Sequence, residues 1–236
     1  MLLLALETAT AQVGVALGSA DGALGSFHST RARRHAETLA PAIDFVCRQA
    51  GVGLDALTAV AVDVGPGQFT GLRVGLVTAK AIAFARGIPL VPVCSLDALA
   101  HPARLDGRRV VAVLDARRGE VYHASYQRDA SGPGGDLTRL GEPAASRPQD
   151  LADRLRETGK DCLLVGDGAH AYAETFATVP RVEVAGRDLR YPSAAALLDL
   201  AAARAAAGTL VPESEVEALY LRAADAVFPA GRGGRG

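Results

Sequence analysis

Three things are missing from this chain: a long apolar run, an excess of charge of one sign, and cysteines at paired spacing. No stretch approaches the roughly 20 apolar residues of a membrane-spanning helix, so no bilayer crossing is expected. The apolar opening Met1–Leu6 is too short for a signal peptide, lacks a basic leader and is cut off by Glu7. A cytoplasmic protein without a membrane partner is the expectation. Lys and Arg number 25 against 26 Asp and Glu, a net charge of −1 that does not favour a strongly electrostatic nucleic-acid binder. Basic clusters at Arg31–His35, Arg108–Arg109 and Arg117–Arg118 each read as solvated faces, so direct contact with a polyanion is not indicated. Cys47, Cys94 and Cys162 lie far apart without zinc or redox spacing, and are expected as reduced, mostly buried thiols.

What is present is the composition of an ordinary globular protein, with 49% hydrophobic and 22% charged residues over a length of 236, enough for one large or two small domains. Leu2–Glu7 is a continuous apolar run, as in a buried strand, and Gln12–Leu17 and Ala23–Ser29 extend it into a meander through the Asp21-Gly22 turn. From Arg34 the period changes, with Leu39, Ile43, Val46 and Cys47 at helical spacing and Gly51 as the stop. Leu57–Val64 is a second buried strand, Phe69–Arg86 a helix closed by Gly87, Ile88–Cys94 a third strand, and Ser95-Leu-Asp97 a helix start. Meander, helix, strand, helix, strand is the pattern of a ribonuclease-H-like half-domain and predicts an α/β sheet.

The pattern restarts near Ala103–Gly107. Arg109–Leu114, Val121–Gln127 and Cys162–Val165 read as strands, Asp150–Glu157 as a short helix, and Ser193–Ala207 as an alanine-rich helix stopped by Gly208. Ser131–Gly135 reads as a hairpin turn or flexible loop. The expected division is a lobe over 1–104, a shorter copy of it over 105–225, and a disordered tail over 226–236.

The turn before the second helix, Asp63-Val-Gly-Pro-Gly-Gln-Phe-Thr-Gly-Leu-Arg-Val-Gly75, carries its loop glycines as G-x-G-x-x-x-G. That is one residue off a dinucleotide fingerprint, and no P-loop lysine follows. Farther along, Gly71, Gly75, Ala79 and Ala83 recur every four residues and place four tiny side chains in one stripe. Two glycines inside a helix each cost about 1 kcal/mol relative to alanine, so the stripe needs a packing reason. Close packing against this chain's own elements and docking of a second chain are both open readings of it.

Gly65–Gly75 resembles the GPGSFTGLRIG signature of the TsaB (YeaZ) family, differing at Gln68 and Val74. Leu4–Thr10 is similar to the family's opening LAIDTST, with Glu7 in place of aspartate. Arg34–Pro41, Asp115–Tyr122 and Tyr220–Arg222 are similar to its remaining motifs, so the likeness spans most of the chain. The resemblance implies two ribonuclease-H-like lobes of the actin/Hsp70/sugar-kinase type, the second reduced. It also implies a subunit without catalytic residues for making threonylcarbamoyladenosine beside the anticodon of tRNAs that read codons starting with A. The implied partners are the catalytic paralogue TsaD and the ATPase TsaE, with tRNA reached only indirectly, and a homodimer through the same helices when the chain is alone. Docking through the N-terminal helices would use His35, Leu39, Gly71, Arg73, Gly75, Ala79 and Ala83.

TsaD-like chains carry H-x-E-G-H soon after the glycine turn, two histidines on one helical face that can share a metal. Here Ser95 and Leu99 stand at those positions, so no metal and no cofactor are expected. His35 and Glu37, two apart on a helix, do not face each other, and His123 reads as a sheet-face residue. In the wider fold, carboxylates at the first hairpins hold magnesium, and Glu7, Thr8 and Asp115 read as a relic of that site. The hairpin Thr8–Gln12 has no glycine to close around a phosphate. The alternative is an actin-like-fold ATPase or kinase acting on a small molecule.

Overall fold

A computed structural model describes residues 1–30, 34–129 and 136–221. The expected turn at 131–135, Arg222 of the Tyr220–Arg222 motif and the tail over 226–236 therefore lie outside the described residues. The opening run forms β1 (Leu3–Glu7), buried at every position because both faces of the sheet are covered. It pairs antiparallel with β2 (Val13–Ser19), which pairs in turn with β3 (Gly22–Ser29). Helix α1 (His35–Ala50) follows and stops at Gly51, whose φ of 66° is the left-handed cap glycine adopts freely. Then come β4 (Ala59–Gly65), α2 (Phe69–Arg86) and β5 (Leu90–Cys94), with both strands parallel to β1, giving the order β3-β2-β1-β4-β5. Helix α2 has the predicted limits.

After α3 (Ser95–Ala100) the second lobe repeats the plan with β6 (Arg109–Arg117), β7 (Glu120–Arg128), β8 (Leu137–Arg139), β9 (Ala144–Ser146) and α4 (Pro148–Thr158). It continues through β10 (Cys162–Val165), α5 (Asp167–Ala171), α6 (Ala173–Phe176) and β11 (Val182–Val184) to α7 (Ala194–Ala206). Its sheet order, β8-β7-β6-β10-β11, matches the first strand for strand, with β9 added on β7. The reduction is visible in three-residue strands and in two helices of five and four residues where α2 has eighteen. These pieces are too short to show a period, and the sequence did not announce them. Ser95 is the first residue of α3 rather than its cap, and its hydroxyl donates to the Asp63 carboxylate. All three cysteines are buried and unpaired.

The last helix of each lobe covers the other lobe. On α3, Leu96 and Leu99 share a buried cluster with Val110, Ala112 and Leu114 of β6. On α7, Leu197, Leu198 and Ala201 join Leu3, Ala5 and Val91 of the first sheet. Helix α7 thus falls in 105–225 by sequence but packs on the first sheet, because the outer faces of β1 and β5 offer the apolar surface its stripe needs. Beyond it the chain stays on the first lobe. Val211 bridges to Leu90, Val216 enters the first core, and the Leu219 N–H donates to the Val64 carbonyl at 2.7 Å.

A polar brace ties these pieces. The Asp97 carboxylate on α3 accepts from the Tyr126 hydroxyl (2.9 Å), Arg139 Nη1 (3.2 Å) and Arg204 Nη2 (2.8 Å), while Arg204 Nη1 donates to the Pro92 carbonyl (2.6 Å). Burial and the neighbouring Asp97 charge push the Tyr126 phenol far above its ordinary range, so it stays a donor.

Candidate functional site

The glycine turn and α2 touch two places where function could sit: the floor of the cleft between the lobes, and the outer surface of α1 and α2. At the floor, Glu7 ends β1 and Asp63 lies near the end of β4, both buried. Glu7 Oε1 accepts the Ala9 N–H at 2.8 Å, and Asp63 Oδ1 accepts the Gly65 N–H at 2.7 Å and the Ser95 hydroxyl at 2.5 Å. Glu7 Oε2, Asp63 Oδ2 and the Thr8 hydroxyl have no hydrogen-bond partner among the described residues. Burial, with the facing Asp63 and Asp167, raises the Glu7 carboxyl well above its ordinary value, and burial brings Asp63 from 3.8 to about 7. Burial thus disfavours the charged form of both carboxyls.

The glycines answer a steric demand from the chain's own backbone. A Cβ at Gly67 would overlap the Ala9 carbonyl, one at Gly71 the Thr8 carbonyl oxygen, and one at Gly75 the Thr8 hydroxyl. The Gln68 N–H donates to the Ala9 carbonyl (2.7 Å) and His35 Nε2 bonds the Thr10 carbonyl (2.8 Å). The first hairpin therefore packs directly against the start of α2. Glu7 and Thr8 are sealed at 0% exposure. Asp115 does not join them. It sits on the other lobe, where it accepts the Arg117 N–H and forms an ion pair with that side chain at 3.2 Å. Asp63 and Asp167 are the acids that face Glu7 instead. A carboxylate directly before the glycine turn was the available sign of Asp63.

The expected docking stripe is corrected in the same way. Gly71 and Gly75 press on the first hairpin, and Ala79 and Ala83 lie in the core cluster with Leu39, Ile43 and Val46 of α1. His35 is occupied by the Thr10 carbonyl and Leu39 is buried, so of the seven expected contact residues only Arg73 reaches solvent. Small side chains face inward here because only they allow the α2 backbone so close to β1. The large apolar residues of α2 point out: Phe69, Val77 and Phe84 are 38%, 66% and 77% exposed. Spaced eight and seven residues apart, they fall on one helical face. The Arg73 guanidinium lies 3.8 Å over the Phe69 ring, whose other neighbour is Tyr220 at 5.5 Å between centroids. Ala36 and Ala40 of α1 complete a shallow apolar groove beside Val74 and Val77. Exposed apolar surface gathered on one face marks a binding surface more often than scattered residues do.

His123 is buried and pushed down to about 4 by burial and then by Arg154, which leaves it neutral and unsuited to general-base work at neutral pH. Among the described residues, no three His, Cys, Asp or Glu side chains are grouped to hold a metal ion. No helix of the described residues is long and apolar enough to cross a membrane.

The raised Asp63 carboxyl has a measurable consequence. Unfolded, it loses its proton near 3.8, and folded near 7, so stability falls as pH rises through that window and levels above it. Asp63→Asn keeps an acceptor for Ser95 and Gly65 and removes the ionisation. Thermal melts between pH 5 and 8 should show a flatter pH dependence and a higher Tm at pH 8 for this variant. Parallel curves for the two proteins would contradict it.

The chain is similar to known proteins over most of its length. The family model described as TsaD, tRNA N6-adenosine threonylcarbamoyltransferase, matches residues 28–227. The tRNA threonylcarbamoyladenosine biosynthesis protein TsaB of Escherichia coli K12 is 33% identical over 225 residues, covering 94% of this chain and 95% of that one. A crystal structure from Pseudomonas aeruginosa, described as similar to peptidase YEAZ, is 34% identical over 94% of this chain and 99% of that chain, with a TM-score of 0.81. The activator of 2-hydroxyisocaproyl-CoA dehydratase from Clostridium difficile, at 10% identity and a TM-score of 0.50, shares the two-lobed fold alone.

Proposed function

The chain belongs to the TsaB (YeaZ) family of tRNA threonylcarbamoyladenosine biosynthesis proteins, and from that premise we propose that it is the non-catalytic docking subunit of the pathway, working in the cytoplasm. In this reading it binds the paralogous threonylcarbamoyltransferase, TsaD, and through that assembly the ATPase TsaE. The chemistry, transfer of a threonylcarbamoyl group to adenosine of tRNA, takes place in the partner.

The observation that carries the reading is the outward apolar face of α2, with Phe69, Val77 and Phe84 exposed beside Arg73 and the α1 groove. A partner helix laid there buries aromatic anchors next to an arginine, the residue types that dominate interface energetics. The absence of a catalytic role is supported by the sealed first hairpin, which is packed by α2, with the carboxyls of Glu7 and Asp63 buried beside it. When the chain is alone, the same face serves a homodimer.

Reconstitution tests the proposal. A mixture of transferase, ATPase, threonylcarbamoyl donor, ATP and tRNA should modify tRNA only when this chain is added, and Val77→Glu with Phe84→Glu should fail to replace it. Full modification without the chain, or ATP turnover by the chain alone, would contradict the proposal.

A further inference from the structure

A cleft of about 600 Å³ opens between the β2–β3 edge of the first lobe and the loop leading from β11 to α7. Gln12 stands on one wall and holds the two together, its side-chain amide donating to the Pro192 carbonyl at 2.8 Å. His28 lines the same wall, and Arg187, Arg190 and Tyr191 line the other. Arg108, Arg139, Arg181 and Arg204 each pair with a carboxylate within 3.2 Å. Arg187 and Arg190 are exposed, and neither forms an ion pair among the described residues. Among the described residues Asp188 is the one carboxylate of this lining, against the two arginines, and the buried Asp167 acts on Arg190 from behind it. The Arg190 guanidinium lies 5.2 Å over the Tyr191 ring, a flat cationic and aromatic surface. Thr30 closes the edge, and in the sequence Arg31 and Arg33 follow it, outside the described residues.

We propose that this cleft holds a phosphodiester segment of RNA, and so gives the subunit a direct contact with the tRNA. The proposal rests on the functional reading above and adds a surface to it. The net charge of −1 does not oppose it, because screening limits an exposed charge to roughly 8–10 Å and only the rim is within reach. Guanidinium groups pair with phosphate oxygens, and a planar aromatic beside them accepts a stacked base. A strand with one charge per nucleotide fits two separate arginines on an open lip. A free triphosphate concentrates its charge at one point, which two separate arginines on an open lip match less well.

The test is steady-state tRNA modification by the full chain assembled with the transferase. Arg187→Glu with Arg190→Glu should raise the KM for tRNA about tenfold or more and flatten its salt dependence, with kcat and the KM for ATP unchanged. Arg187→Lys with Arg190→Lys keeps the charges and should retain a KM within about threefold of the original. An unchanged KM for tRNA in the reversed variant, or a defect in ATP rather than tRNA, overturns the cleft while leaving the docking role intact. A wild-type chain that adds nothing to modification overturns both.

Discussion

Gly71→Ala should cost this protein about 3 kcal/mol or more of stability, although alanine is the better helix former. An alanine gains roughly 1 kcal/mol over glycine inside a helix, so propensity alone predicts the opposite sign. Sterics decide it. The new Cβ would overlap the Thr8 carbonyl oxygen, a backbone atom in a central hairpin that cannot rotate away. Gly75 supplies the refinement, because its obstacle is the Thr8 hydroxyl, a side-chain atom without a hydrogen-bond partner. Gly75→Ala should be destabilising alone and largely rescued by Thr8→Ala, with a coupling of about 1–3 kcal/mol in a double-mutant cycle. Denaturant unfolding of the four proteins measures it. Additive effects would mean that the helix and hairpin are not in contact, and a stabilised Gly71→Ala would mean that the stripe faces solvent.

The second large effect is expected at Asp97. Its carboxylate receives three donors from β7, β8 and α7, and so joins both lobes at one point. Asp97→Ala leaves Arg139 and Arg204 facing each other, and Tyr126, buried and strongly protonated, without its acceptor. Removing one member of a buried charge cluster costs about 3–5 kcal/mol, and the arginines, about a third exposed, place this case near the lower end. Asp97→Asn keeps an acceptor for the tyrosine and should lose less. Unfolding curves are the measurement, and a loss below about 1 kcal/mol for Asp97→Ala would show the brace to be ornamental.

Much of the architecture was readable locally. Helix α2 and the strands around it follow from apolar period and from glycines at Gly51 and Gly87, which cap helices in the left-handed region. Helix α7 was legible to within a residue at each end, Ser193 proving to be its cap, with its hydroxyl accepting the Ala196 N–H, rather than its first residue. What period cannot give is phase relative to a neighbour that is distant in sequence. The stripe of Gly71, Gly75, Ala79 and Ala83 was visible, but its direction depended on a hairpin 60 residues earlier, and tiny side chains fit either a partner helix or one's own backbone. The exposed Phe69, Val77 and Phe84 went unnoticed for the same reason, since large apolar residues are ordinarily assigned inward. Long-range pairings such as Asp97 with Arg204, and Leu219 with Val64, leave no local trace in the sequence. Glu7 was found by its place at a strand end, while Asp63 and Asp167 became its neighbours only when the sheets were assembled.

The account depends on α2 turning its small residues inward and its large ones toward a partner. The most direct measurement is calorimetric titration of the transferase with the Val77→Glu, Phe84→Glu chain, alongside a thermal melt of that chain. An unchanged melt with binding weakened by several hundredfold or more is the predicted result, because two hot-spot losses of about 2 kcal/mol each amount to nearly a thousandfold. Wild-type affinity from the folded variant would contradict it.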